Sequence, residues 1–434
     1  MATVAIQQPI PPRSPMIRKR TFSSSSDGMH YGPRVSKQPK TARRQSSPQR
    51  SPQRSPQRKR KLPVPEEKKK LDSAFVGGAK VDLEYGFVPP TASNRDRHSA
   101  AKEAQAGLEK KCAERQAMAA TVSEEWMERI SMKQPGFDNI KMSRCYRHSL
   151  LQALLHIPKL VNWLLEFHKL GECCSHRPAV CIACKLRDLA TLYWVQNSSR
   201  QEIYALLKDI DRTLAIRGWA TDNPEEYGDP DDQFTAMLEM MSEDMGAMGH
   251  TRFQAIHSTL LTSSIRCSSC GHTTDPHHSA ERTLSVPLES SLSGSSLEVF
   301  VAAFLRDKIS GYRCEGCQKP VNVTRDVKIA SPADVISVQL KRAGWNGTIK
   351  TKVGITRVLD LTKHAVDGST ELRYELVSTV SHQGNSRFGH YIAHAVGPDG
   401  KWTEFNDECT RKVSPKAVLM PAGFKPVLLY YKRV

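Results

Sequence analysis

The sequence predicts an α+β fold with an antiparallel sheet, preceded by a basic tail that forms no stable fold. From residue 136 onward, apolar residues first recur at helical spacing and later form short β-branched runs separated by turn residues. The first 72 residues are instead rich in Ser, Pro, Gln, Arg and Lys and poor in apolar side chains. The 434-residue chain is therefore predicted to consist of a disordered tail (1–72), a linker with a helical segment (73–135) and a folded domain (136–434).

The tail carries most of the positive charge. It contains 18 Lys and Arg against 4 Asp and Glu, a net charge of +14, whereas the whole chain has a net charge of +18. The other residues together carry only about +4, which argues against a nucleic-acid-binding domain. Binding to nucleic acid is expected to be at most nonspecific, through phosphate contacts of the tail.

Two short patterns in the tail predict partners. Ser47, Ser51 and Ser55 each begin a Ser-Pro-Gln-Arg tetrapeptide, which resembles an acceptor site of proline-directed, cyclin-dependent kinases. The basic cluster 58–61 resembles a nuclear localisation signal for an import receptor, and the alternative is a solvated polycation without a receptor. The chain has no apolar run of 18 residues and no signal peptide, so we expect no membrane association and a location in the nucleus, the cytoplasm or both.

The linker and the domain contain distinct helix and strand patterns. Residues 99–132 are rich in strong helix formers and predict one or two solvent-exposed helices, which Pro135 and Gly136 end. Further helices are predicted at 146–170, 183–197, 200–216 and 233–245. Strands are predicted at 321–330, 334–342, 374–382, 391–397 and 427–434.

Cys145 directly precedes a predicted helix, whose apolar face contains Leu150, Leu151, Leu154 and Leu155. At this position the thiol meets the positive end of the helix, which favours the thiolate and predicts a nucleophile. The alternative is a buried small hydrophobe, because free cysteine is among the most buried residue types. A nucleophilic thiol also needs a base, and the base needs a third group that orients it.

His390 is the best candidate for that base. It precedes a predicted hairpin whose turn is 397–400, and pairing around this turn brings His390 across from Asn406 and Asp407. An imidazole beside an amide or carboxylate at neighbouring strand ends is what Cys-His-Asn/Asp catalysis requires. A structural histidine in a strand is the alternative for His390 taken alone.

Eight of the eleven cysteines lie in close clusters, which indicates metal ligands in a reducing compartment. Two Cys-x-x-Cys pairs, Cys267 with Cys270 and Cys314 with Cys317, predict one structural zinc site with four thiolate ligands. A second cluster offers five ligands for the four positions of a second structural zinc. These are Cys173, Cys174, His176, Cys181 and Cys184. Redox sensing by the adjacent cysteines of this cluster is the alternative.

Longer motifs resemble one known family. The segment GFDNIKMSRCYRHSLLQALLHIP resembles the cysteine box of the ubiquitin-specific proteases, which are papain-like cysteine deubiquitinases. YELVSTVSHQGNSRFGHYIA and WTEFND resemble their histidine box, and the two Cys-x-x-Cys pairs lie between the boxes in the family's order. The resemblance covers residues 136–432. It implies a papain-like fold with a helical thumb, an antiparallel β palm and zinc-bearing β fingers.

The resemblance also implies a reaction and its residues. Cys145 would be the nucleophile, His390 the base, Asn406 its orienter, Asp407 an assistant, and Asn139 the oxyanion-stabilising asparagine. The reaction would be hydrolysis of the bond between ubiquitin's C-terminal glycine and a lysine of a conjugated protein. The stretch DPDDQF resembles a family segment that binds ubiquitin's basic C-terminal tail, and a solvated acidic loop is the alternative. Its acidic residues are Asp229, Asp231 and Asp232.

The cysteine box departs from the family pattern in three ways. It has one additional residue before Cys145, the family's Gly-Asn-Thr is replaced by 142–144 (Met-Ser-Arg), and His148 stands where the family has asparagine. These changes leave a second hypothesis open, a ubiquitin-binding scaffold of the same fold that has lost turnover.

Overall fold

Helices form the first part of the domain and strands the second, as the sequence predicts. The computed structural model describes residues 94–140, 143–168, 178–196, 198–219, 228–344, 347–368, 370–385 and 388–434. All of these residues belong to one compact unit, 78–434. The predicted tail and the first part of the linker lie outside the described residues.

The described residues form nine α-helices, and π-helical turns extend two of them. The α-helices are α1 (Asn94–Ala120), α2 (Cys145–Leu155), α3 (Pro158–Asn162), α4 (Ile182–Ala190), α5 (Arg200–Ile216), α6 (Pro230–Asp244), α7 (Ala247–His257), α8 (Leu297–Leu305) and α9 (Pro415–Leu419). The π-helical turns are Trp163–Phe167 after α3 and Thr191–Val195 after α4.

Local sequence explains most helix boundaries. Helix α5 starts with a capping box, in which Ser199 and Glu202 satisfy each other's backbone N–H groups. The predicted helix 146–170 is instead interrupted between α2 and α3. Pro158 lacks an N–H group and disfavours helical geometry at the preceding Ile157, so a new helix begins at the proline.

Helix α1 differs from its prediction at both ends and in its surroundings. It ends at Ala120 rather than near residue 132. The Thr121 hydroxyl donates to the Met118 carbonyl oxygen, and such local side-chain bonds compete with helix continuation. The helix is also not exposed on all sides, because Leu108 packs against Leu260 and Ala280 of the domain.

Fourteen strands in the described residues form three sheets. They are β1 (Thr259–Cys267), β2 (His277–Glu281), β3 (Leu284–Pro287), β4 (Arg306–Arg313), β5 (Pro320–Ser331), β6 (Val335–Lys341), β7 (Ala343–Gly344), β8 (Gly347–Thr348), β9 (Val358–Asp360), β10 (Arg373–Gly384), β11 (Gly389–Val396), β12 (Trp402–Asn406), β13 (Cys409–Val413) and β14 (Lys425–Arg433).

The two larger sheets correspond to the predicted palm and fingers. The palm has eight strands in the order β13-β12-β11-β10-β14-β6-β3, with β9 added beside β10. The fingers have four strands in the order β2-β1-β5-β4, and β7 and β8 form a separate pair. The palm is antiparallel as predicted except at its edge, where β3 runs parallel to β6.

The central palm strand β14 is buried on both faces. Leu428 and Tyr430 of β14 belong to the core shared with the thumb helices, whereas Leu429 and Tyr431 belong to a second core on the opposite face. Side chains alternate across a strand, so a continuous apolar run is what a strand covered on both faces requires. No helix in the described part of the chain combines the length and hydropathy needed to cross a bilayer.

Candidate active site and zinc sites

Cys145 is the first residue of α2, and its side chain is only 1% exposed. The helix has no acidic residue in its first turn, and the preceding Arg144 provides no side-chain cap. No carboxylate of the helix itself offsets its positive end, which suits an anionic sulfur. The sequence predicts a helix that begins directly after Cys145. In the structure the helix begins one residue earlier, at Cys145 itself.

His390, the second residue of β11, hydrogen-bonds Cys145. Its Nε2 lies 2.6 Å from Oδ1 of Asn406, the last residue of β12. Since Nε2 faces Asn406, Nδ1 is the nitrogen available to the thiol. The hydrogen bond from Cys145, followed by that of Asn406, raises the pKa of His390 to about 9. This arrangement stabilises an imidazolium beside a thiolate.

The hairpin that brings His390 and Asn406 together has the predicted turn. Strands β11 and β12 pair from Val396 with Trp402 to Ala393 with Phe405, a register one residue away from the predicted one. Asn406 and Asp407 nevertheless both approach His390, and Asp407 Oδ2 lies 4.0 Å from His390 Nε2.

Asn139 of the cysteine box bonds both Arg144 and Asp407. Its Oδ1 accepts a hydrogen bond from the Arg144 backbone N–H over 3.2 Å, and its Nδ2 donates to Asp407 Oδ2 over 3.0 Å. The additional residue before Cys145 therefore leaves this side chain beside the residue that precedes the nucleophile. The Asn139 amide has a second N–H proton that can serve an oxyanion.

His148 also contacts Asp407, a contact that the sequence does not indicate. Its Nδ1 lies 3.2 Å from Asp407 Oδ1. The sequence shows that His148, three residues after Cys145, stands where the resembled family has asparagine. Only the tertiary structure shows that this residue contacts Asp407.

The three acidic residues form one cluster at the start of α6 rather than a solvated loop. Asp229 caps the helix by accepting from the Asp231 N–H over 2.8 Å, and Asp231 Oδ2 accepts from Gln339 of β6. Burial, and then the charge of Asp232, raises the pKa of Asp229 to about 6. Burial, and then the charges of Asp229 and Asp232, raises the pKa of Asp231 to about 7. Asp232 also has a raised pKa because of burial.

This acidic cluster lies close to the candidate catalytic residues. The charges of Asp229, Cys145 and Asp232 all act on the hydroxyl of Tyr391, the residue after His390. Within the described residues, Asp231 Oδ1 is buried and has no hydrogen-bond partner. A partly desolvated carboxylate cluster with a free acceptor is suited to a cationic group.

The four predicted cysteines of the fingers come together. The sulfur atoms of Cys267, Cys270, Cys314 and Cys317 all lie within 4.8 Å of one another, and the Cys270 and Cys314 sulfurs are 3.6 Å apart. In a tetrahedral site with Zn–S bonds of about 2.3 Å, neighbouring sulfurs are roughly 3.8 Å apart. The group therefore fits a structural zinc ion that joins the ends of β1 and β4.

The second predicted cluster includes a residue that the sequence analysis missed. Cys181 and Cys184 lie with His168, all three buried and within 4.8 Å of one another. His168 Nε2 is 3.3 Å from Cys184 Sγ and 3.6 Å from Cys181 Sγ. The other predicted ligands, Cys173, Cys174 and His176, lie outside the described residues. His168 is 13 residues before Cys181, and a wider search for histidines around the cluster would have included it.

Comparison with known proteins agrees with this geometry. The family model described as ubiquitin carboxyl-terminal hydrolase matches residues 135–431. Ubiquitin carboxyl-terminal hydrolase 36 of Drosophila grimshawi is 28% identical over 302 residues, covering 63% of this chain and 23% of the relative. The Drosophila ananassae protein is 30% identical over 298 residues, covering 63% and 26%. The chain thus spans about a quarter of the length of the curated relatives that it matches.

Solved structures show the same fold. The SAGA deubiquitinating module of Ubp8, Sgf11, Sus1 and Sgf73 bound to ubiquitin aldehyde superposes with a TM-score of 0.58 at 20% identity, covering 73% of this chain and 72% of that chain. A yeast SAGA module with a mutant Sgf73 gives a TM-score of 0.57 at 21% identity with the same coverage. The family match over most of the folded domain, together with the thiol, imidazole and amide array at the end of the palm, places this chain in the ubiquitin carboxyl-terminal hydrolase family.

Proposed function

We propose that the chain is a thiol-dependent deubiquitinase that hydrolyses the bond at the C-terminal glycine of ubiquitin on protein conjugates. One observation carries this proposal: the hydrogen-bonded series from Cys145 through His390 to Asn406, in a member of this family. A scaffold without turnover would not need these three groups in this arrangement.

The geometry supports a two-step reaction. The Cys145 thiolate attacks the glycine carbonyl carbon, and His390 donates its proton to the leaving lysine amine as the C–N bond breaks. The product is a thioester on Cys145. His390 then takes a proton from water, whose oxygen attacks the thioester. The collapsing intermediate restores the thiolate and releases the C-terminal carboxylic acid of ubiquitin, which loses its proton to solvent. Asn406 orients the imidazole, and Asn139 with backbone N–H groups stabilises the oxyanion.

The acidic cluster is the proposed binding site for the basic C-terminal tail of ubiquitin. Asp229 and Asp232, like Cys145, lie close enough to act on Tyr391, the residue after His390, and a cationic side chain would lower the raised pKa values of the three carboxyls. The fingers would hold the globular body of ubiquitin. SAGA modules that share this fold have been solved with monoubiquitin and with ubiquitin aldehyde.

Two structural zinc sites are proposed. One is the four-cysteine group of the fingers, and the other contains His168, Cys181 and Cys184. With all ligand positions filled by protein, such sites stabilise the fold and leave no open position for chemistry. Cys173, Cys174 and His176 remain the sequence-based candidates for the fourth ligand of the second site.

The tail is proposed to locate or regulate the enzyme. Ser47, Ser51 and Ser55 are candidate sites for a proline-directed kinase, and the basic cluster 58–61 is a candidate ligand of a nuclear import receptor. Nuclear or cytoplasmic location and nonspecific nucleic-acid binding by the tail are the corresponding expectations.

The function is tested with ubiquitin that carries a thiol-reactive group at its C-terminus. We expect one adduct, located by peptide mass spectrometry on Cys145 and absent from Cys145→Ala. Cys112 and Cys409 provide internal controls, because a probe guided by ubiquitin recognition should leave both unlabelled. No adduct in a folded, zinc-loaded protein would contradict the proposal. If ubiquitin still bound to that protein, the scaffold hypothesis would replace it.

A further inference from the structure

Asp407, in the turn between β12 and β13, bonds several residues of the cysteine box. This residue has a left-handed backbone conformation, with φ of 49°. Its carbonyl oxygen accepts from the Phe137 N–H over 2.8 Å. Its two carboxylate oxygens are shared, Oδ2 with Asn139 over 3.0 Å and Oδ1 with His148 over 3.2 Å. Asp407 is thus held from the backbone and from both oxygens.

His148 is well placed to orient this carboxylate. It lies on α2, three residues after Cys145, and is only 5% exposed. The edge of its ring packs against Phe137, with ring centroids 5.7 Å apart. Burial lowers the pKa of His148, an effect that the hydrogen bond to Asp407 opposes and the charges of Arg147 and Arg144 reinforce. The imidazole is therefore neutral near pH 7 and carries one ring proton.

The position of that proton follows from its partner. A carboxylate can only accept hydrogen bonds, so the proton of the neutral ring is on Nδ1, the nitrogen that faces Asp407. Asn139 faces the other carboxylate oxygen with one of its two amide protons. A donor on each oxygen limits rotation of the Asp407 carboxyl, and the fixed carboxyl in turn determines the direction of the Asn139 amide.

We propose that His148 is a positioning residue for oxyanion stabilisation: it donates its Nδ1 proton to Asp407, which holds the Asn139 amide toward the reacting carbonyl oxygen. His148 stands where the resembled family has asparagine, which can also donate to a carboxylate. The histidine of this chain thus replaces one hydrogen-bond donor to the carboxylate by another. This inference rests on the proposed function and on the role of Asn139 within it.

The kinetic test compares His148→Ala with His148→Asn on a ubiquitin conjugate with a fluorescent leaving group. We expect His148→Ala to lower kcat by about 10- to 100-fold with KM within about twofold, because only transition-state stabilisation is lost. His148→Asn should recover kcat to within about threefold of the wild type. The control is His257→Ala, which removes a buried histidine of α7 that bonds the Phe253 carbonyl. It should leave kcat unchanged at a temperature where every variant is folded.

Two further measurements separate positioning from a general structural effect. Ubiquitin aldehyde forms a hemithioacetal whose oxygen occupies the oxyanion position, so its inhibition constant should rise in His148→Ala, by about the factor lost in kcat. The double variant of His148→Ala with Asn139→Ala should be no slower than Asn139→Ala alone, because both act through one amide. The proposal would be overturned if the losses in kcat of the two single variants multiplied in the double variant. It would also be overturned if His148→Ala left kcat unchanged or changed only KM.

A spectroscopic measurement distinguishes this proposal from the proposed function. If wild-type protein turned over no ubiquitin substrate, the function would fail. The assignment of His148 would still be tested by ¹⁵N NMR of histidine-labelled full-length protein. We expect the Nδ1-protonated tautomer for His148 in the wild type and its loss in Asp407→Ala. An Nε2-protonated ring in the wild type would overturn the assignment whether or not the protein is active.

Discussion

Adding one methyl group at Gly136 should disturb the candidate active site strongly. A Cβ atom added there would lie 2.3 Å from the Asp407 carbonyl oxygen and 2.5 Å from the Glu408 carbonyl carbon. Ordinary van der Waals contact begins at 3.4 Å, so the two backbone segments must separate by about 1 Å. Both contacts are to backbone, and no rotation of a flexible side chain can relieve them.

The displacement would act on the turn that carries Asn406 and Asp407. It would stretch the 2.8 Å hydrogen bond from Phe137 to Asp407 and move the Asp407 carboxylate away from Asn139. A misplacement of about 1 Å in a catalytic group costs roughly 10²-fold in rate, and overpacking of this kind costs about 1–3 kcal/mol of unfolding free energy. We therefore expect Gly136→Ala to lower kcat about 100-fold.

The assay is steady-state hydrolysis of a fluorogenic ubiquitin substrate, with urea unfolding of the same samples. The matched control is Gly354→Ala, where the nearest atom to the added Cβ is at 3.4 Å. Neither glycine has a positive φ, so the two substitutions differ in available space and not in backbone strain. A kcat for Gly136→Ala within threefold of the wild type, or an equal loss in Gly354→Ala, would refute this reasoning.

Three other predictions concern proton and metal binding. The bonds to Cys145 and Asn406 raise the pKa of His390 to about 9, so His390 should keep its proton up to that pH and kcat/KM should fall as pH rises through about 9. In Asn406→Ala this fall in kcat/KM should occur at lower pH. An unchanged pH profile would count against the role of Asn406 beside His390. Burial raises the pKa of Asp231 to about 7, above the value of about 3.9 in the unfolded chain. Between these pH values the native state binds a proton that the unfolded state has lost. The free energy of unfolding should therefore decrease as pH rises from 4 to 7. Asp231→Asn should then stabilise the protein relative to wild type at pH 8 but not at pH 4 in urea titrations, and an equal effect at both pH values would contradict the shift. Metal analysis should find about two zinc ions per chain, with one lost in Cys314→Ser and the other in Cys181→Ser, and full zinc content in either variant would exclude that site.

Local sequence determined the features that depend on neighbouring residues. The capping box at Ser199 and the division of alternate β14 side chains between the two cores follow from spacing along the chain. The hairpin turn after β11 is equally local, and it was enough to bring Asn406 to His390. The Cys-x-x-Cys pairs identified the four cysteines of the candidate zinc site, because both cysteines of a pair must reach one ion from a single turn.

Only the tertiary structure decided the contacts between distant residues. His148 and Asn139 meet Asp407 across 259 and 268 residues of sequence, and no local pattern encodes such a pairing. His168 joins Cys181 and Cys184 across 13 and 16 residues of sequence. The raised pKa values of Asp229 and Asp231 depend on burial against the palm, which the same acidic stretch on an open surface would not have. Periodicity reports which face of an element is apolar, whereas packing of whole elements decides which polar groups share a site.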